Sequence, residues 1–155
     1  MKTLHLLLGG AERRLTSAIQ TTVLDVCFNR AAVAFTNSLR PNEFVRQGCC
    51  GCYELIILDT EHLLPELGRP ELGSEELVQI VWTLKNQSST PLVVLGATAE
   101  MEYRFLEAGA DAVLVGRWKP DELRAAVDQQ LALPHAEEPP RRRNWSFAGF
   151  FGSRG

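Results

Sequence analysis

The run Leu55-Ile56-Ile57-Leu58, closed by Asp59, constrains this chain more than any other stretch. A continuous apolar run of strand length, bounded by polar residues, suits a central parallel strand buried on both faces. Such a strand needs strands beside it and helices above and below it. The rest of the chain offers both. Leu4–Leu8, Ala32–Phe35, Pro91–Leu95 and Ala112–Val115 read as further short strands. Arg13–Val26 carries Leu15, Ile19, Val23 and Val26 at intervals of three or four, the pattern of an amphipathic helix. Pro41-Asn42-Glu43 opens a helix through Gln47, followed by a glycine–cysteine loop. Ser74 is the expected N-cap of a helix with Leu77, Ile80, Val81 and Leu84 as its buried stripe. Ala99–Ala108 is stopped by Gly109, and Pro120 sits in the first turn of a last helix lined by Leu123, Val127 and Leu131. Strands alternating with helices in this way predict an α/β parallel sheet covered on both faces.

Composition narrows the function classes. The chain has 155 residues, 45% hydrophobic and 23% charged, with a net charge of −3. That length suits one main domain, and that charge balance argues against a nucleic-acid partner. The apolar residues before Gly9-Gly10 are too few for a signal-peptide core or a membrane span. A cytoplasmic protein with reduced thiols and no direct membrane insertion is expected. Cys27 falls on an apolar helix face and reads as core. Cys49-Cys50-Gly51-Cys52 is denser, yet zinc would need a second pair of ligands, and His5, His62 and His135 show no ligand spacing. Ordinary loop or core thiols are the favoured reading, with zinc and redox roles as alternatives. Residues 1–133 form the main domain, and 134–144 read as a linker with a solvated basic knot, Arg141–Arg143.

Thr90-Pro91-Leu92-Val93-Val94-Leu95, Phe105-Leu106-Glu107-Ala108-Gly109-Ala110-Asp111 and Glu122-Leu123, together with Leu55–Asp59, carry a resemblance. Residues 1–133 resemble the receiver domain of bacterial response regulators. The resemblance implies a flavodoxin-like (CheY-like) three-layer fold with strand order 2-1-3-4-5 and any site at the carboxyl ends of the strands. Receivers place an acidic pair after the first strand, a phosphoacceptor aspartate after the third, a hydroxyl after the fourth and a lysine after the fifth. A transferring phosphoryl group beside carboxylates needs a metal and a cation to offset its charge. Here the acceptor position falls on Asp59. Gly9-Gly10 replace the acidic pair, with Glu12 the nearest acid. The hydroxyl position is Gly96, with Thr98 two residues on; the lysine position is Gly116, the following proline is Arg117, and Lys119 lies nearby. The expected domain is therefore a degenerate receiver without catalytic residues, cofactor or bound Mg²⁺. The alternative is a phosphorylatable switch that still uses Asp59.

The tail adds a second resemblance. Trp145–Phe151 followed by Gly152-Ser153-Arg154-Gly155 resembles the opening of the deviant Walker A loop of ParA/MinD-type ATPases. A receiver-like domain before such an ATPase is the layout of TadZ/CpaE-type pilus-assembly proteins. The resemblance implies that 145–155 begins an ATPase domain of a longer protein, which alone would bind ATP. A native apolar tail is the other reading. Together these point to a homodimerising or localising module in pilus assembly or signalling, placed at a cell pole. Receiver families pair through the fourth helix, fifth strand and fifth helix, which here implies Met101, Tyr103, Arg104, Trp118, Arg124 and Asp128. Tyr103 and Trp118 are the expected anchors if they are not simply edge packing.

Overall fold

The structure, a computed structural model, describes residues 2–10 and 13–132, with backbone alone for 13–16. Glu12, residue 133, the 134–144 linker and the 145–155 segment lie outside the described residues. The elements run β1 (Thr3–Gly9), α1 (Arg13–Cys27), β2 (Ala32–Ser38), α2 (Pro41–Gly48), β3 (Leu55–Asp59), α3 (Ser74–Gln87), β4 (Leu92–Ala97), α4 (Ala99–Glu107), β5 (Ala112–Val115) and α5 (Pro120–Leu131). The five strands are all parallel, in the order β2-β1-β3-β4-β5. The expected flavodoxin-like order is therefore the observed one.

The pleat sorts alternate residues to opposite faces, and this divides the core into two layers. Leu4, Leu6 and Leu8 of β1, Leu55 and Ile57 of β3, and Val93 and Leu95 of β4 meet Ile19, Val23 and Val26 of α1 and Leu123 and Val127 of α5. On the other face Leu7, Ile56, Leu58, Leu92 and Val94 meet Phe44 of α2, Ile80, Val81 and Leu84 of α3, and Phe105 of α4. Every residue of β3 is buried, as its unbroken apolar run requires.

Several boundaries move for identifiable reasons. β2 runs on past Phe35 because Thr36, Asn37 and Ser38 pair with Leu7, Leu8 and Gly9. β4 starts at Leu92, not Pro91, and continues to Ala97 through a register shift at Gly96, whose φ is +79°. Ser74 is the first helical residue and not the cap. The N-cap is Gly73, whose amide donates to the Glu76 carboxylate at 3.1 Å. The close of α4 is as expected: Gly109 turns at φ +116°, its amide donates to Leu106 O, and that of Ala110 donates to Phe105 O. This is a Schellman ending. The Asp111 carboxylate then accepts from Leu92 N–H and from Lys85 Nζ, each at 2.8 Å, tying α3 to the start of β4.

A Cβ on Gly109 would lie 2.9 Å from Lys85 Cβ, in a backbone conformation that L-residues rarely adopt. Gly109→Ala is expected to lose about 1–3 kcal/mol of stability, read from the urea unfolding midpoint.

Candidate functional site

The carboxyl ends of β1, β3, β4 and β5 bring Gly9, Gly10, Asp59, Gly96, Gly116 and Arg117 to one rim of the sheet. Asp59 ends the fully buried strand and is itself only 4% exposed. A carboxylate in that position must be hydrogen-bonded to be tolerable. Its partners come from the loop directly after it. The amide of Glu61 donates to Oδ1 at 3.1 Å, and Nδ1 of His62 lies 2.9 Å from Oδ2. Thr60 fastens the same turn to the neighbouring strand, since its amide (3.0 Å) and hydroxyl (2.9 Å) both donate to Leu95 O.

The glycines around Asp59 do more than omit functional groups. A Cβ on Gly9 would fall 2.6 Å from the ring of Phe44, which is wholly buried. At Gly10, φ is +132° and a Cβ would fall 2.8 Å from Asp59 Cβ. A Cβ on Gly96 would lie 3.0 Å from Glu61 Cγ, again at positive φ. Neighbouring side chains thus fill or crowd the space that an acidic pair and a hydroxyl would need. Gly116 is different: its φ is +66° and a Cβ there would meet nothing within 4 Å.

Thr98 is spent on the helix. Its hydroxyl accepts from Met101 N–H at 3.3 Å as the N-cap of α4. Arg117 is exposed and lines a cleft of about 450 Å³ with Glu61, Gly116, Trp118 and Pro120. Neither Arg117 nor Lys119 is in an ion pair among the described residues.

Sequence reasoning missed Glu61 and His62. The ligand atoms of Asp59, Glu61 and His62 all lie within 4.8 Å of one another, the one such group of three among the described residues. Two carboxylates and an imidazole form a donor set suited to a transition metal. Magnesium takes oxygen ligands in near-octahedral geometry, usually one or two carboxylates with waters; here Asp59 and Glu61 supply carboxylates, while β1 ends in glycine and adds none. The legible signal for His62 was its position three residues after a strand-end aspartate.

The six residues of the expected pairing face make different contacts in the structure. Arg104 reaches to α3, donating to Glu75 from both terminal nitrogens, one of them at 2.7 Å. That hydrogen bond holds the Glu75 carboxyl below its usual range. Arg124 pairs with Asp121 and Asp25, and Asp128 with Arg30, along the seam of α1 and α5. Met101 and Trp118 are half-buried against the core. Tyr103 is 68% exposed, with its hydroxyl donating to Glu107 at 3.1 Å. Trp82 is 52% exposed in a groove between α3 and α4.

The strand order, the paired helix layers and the aspartate at the end of β3 define a CheY-like receiver fold. Solved structures agree. The receiver domain of sensor histidine kinase PA1611 from Pseudomonas aeruginosa PAO1, which holds a magnesium ion in its active-site cleft, is 17% identical with a TM-score of 0.60, over 84% of this chain and 98% of that one. The receiver domain of Francisella response regulator 1452 is 17% identical with a TM-score of 0.62, over 83% and 97%. A CpaE2 pilus assembly protein from Sinorhizobium meliloti 1021 is 18% identical with a TM-score of 0.61, over 82% and 99%. No family model matches the chain, and no curated protein matches it in sequence.

Restoring an acid at the end of β1 should fail. Gly10→Asp is expected to cost about 1–3 kcal/mol from crowding and positive φ. Thermal unfolding reads the cost, and a Mg²⁺ titration of the variant is expected to show no binding.

Proposed function

We propose that this receiver-fold domain acts by binding protein partners, itself included, and not by phosphotransfer. The burial of Asp59, with a partner at each of its carboxylate oxygens, carries this reading. Phosphoryl transfer needs a carboxylate oxygen free to attack phosphorus, with a metal and a cation placed against the developing charge. Here one oxygen is held by an amide, the other faces an imidazole, and β1 offers no acid among its described residues.

A dimerising surface on α4 and β5 is supported by exposed Tyr103, Leu106 and Val115 on these adjacent elements. Large apolar side chains left in water at neighbouring positions favour association. The fold shared with a CpaE2 pilus assembly protein supports a place in a pilus-assembly protein of that kind. In this proposal the domain uses no cofactor, and ATP belongs to a following domain. The competing reading is a switch phosphorylated on Asp59, favoured by the cations Arg117, which lines the Glu61 cleft, and Lys119 close by in the chain.

Mg²⁺ and beryllofluoride are titrated into wild type and Asp59→Asn, following tryptophan fluorescence and the sizing-column mass. The interaction module predicts no Asp59-dependent change, and a dimer mass that falls to the monomer in Tyr103→Glu. An Asp59-dependent change in fluorescence or mass establishes the switch instead.

A further inference from the structure

The loop between α2 and β3 lies at the amino-terminal rim of the sheet, the end opposite Asp59, so its chemistry is independent of the proposed function. It carries three free cysteines. Cys49 leans on the core layer beneath α2 and α3, and burial pushes its thiol above the ordinary range. Cys50 and Cys52 are exposed. Between them Gly51 takes φ +74° with nothing within 4 Å of its would-be Cβ, so glycine serves the turn itself and not a crowded site. The turn folds the two cysteines onto each other. Cys52 N–H donates to Cys50 Sγ at 3.2 Å, and Cys52 Sγ–H donates to Cys50 O at 3.6 Å.

The geometry points to Cys50 and Cys52 as a two-thiolate site for a soft, low-coordinate metal ion of the Cu(I) class. Thiolates select soft ions, and one tight turn already folds the two exposed cysteines together, with Cys52 N–H on Cys50 Sγ and Cys52 Sγ on Cys50 O. An amide is also in place as a donor to the Cys50 sulfur. Zinc is the wrong ion, because it takes four ligands. No third ligating side chain joins this pair among the described residues, where the single group of three is Asp59, Glu61 and His62. Both thiols must lose a proton on binding, so affinity rises with pH.

The fully reduced chain is loaded anaerobically with Cu(I) and competed with bicinchoninate, with circular dichroism confirming the fold of each variant. One Cu(I) per chain should be retained. Cys50→Ser and Cys52→Ser should each weaken retention more than about tenfold, whereas Cys27→Ser and Cys49→Ser should leave it unchanged. Equal retention by wild type and the Cys50→Ser/Cys52→Ser double variant overturns the site. Loss in Cys49→Ser overturns the two-thiol assignment, and zinc held as tightly as Cu(I) overturns the choice of ion.

Discussion

The complete burial of β3 is the constraint on which the carboxyl rim depends. A strand dry on both faces delivers Asp59 to a place where water cannot solvate its carboxylate. The charge must then be met by protein groups, and the nearest ones belong to the next few residues. Meeting it obliges 60–62 to fold back over the strand end, where Thr60 anchors the turn on Leu95. That turn brings the Glu61 side chain over Gly96 and leaves Gly10 pressed on Asp59. Phe44 then closes the space beside Gly9 from the other layer. Each glycine at this rim is explained by the side chain packed against it, Gly116 excepted.

The helices are held by two kinds of force with different jobs. Apolar burial supplies the energy, at roughly 25 cal/mol for each Å² removed from water. Charged pairs mark the seams: Arg124–Asp25 joins α5 to α1, Arg30–Asp128 joins α5 to the turn after α1, and Arg104–Glu75 joins α3 to α4. Pairs this open to solvent on at least one side are screened by water and contribute little individually. Their effect is on which surface remains available. Arg104, Arg124 and Asp128 are half-exposed and engaged with charged neighbours, whereas Tyr103 is left largely in solvent.

Features that depend on near neighbours or on simple periodicity could be seen in the sequence. The apolar run of β3, the helical stripes and the Gly109 stop all rest on local rules, and the resemblance added the strand order. The position of Asp59 at the rim came with them. The fit of the Phe44 ring against Gly9 depends on two segments that meet only in the folded sheet, and no spacing announces it. His62 was passed over because it was judged against metal-ligand spacing and not as a partner for the aspartate three residues before it. Ser74 lost the cap to Gly73 because the backbone amide reaching Glu76 mattered more than a capping hydroxyl. The ends of β2 and β4 moved because pairing with a neighbour, not composition, decides where a strand stops.

The all-parallel sheet also has a kinetic consequence. No two of its strands can pair through a tight hairpin, because each parallel neighbour is reached only after a crossover. The centre of the sheet needs β1, β3 and β4 together, so distant segments must close before any of them is rewarded. Until then Leu55–Leu58 is a bare apolar strand with unpaired edges, the kind of segment that seeds aggregation. The chain's most informative stretch is thus its most hazardous during folding, and rapid capture by β1 and β4 governs how much of it reaches the native state.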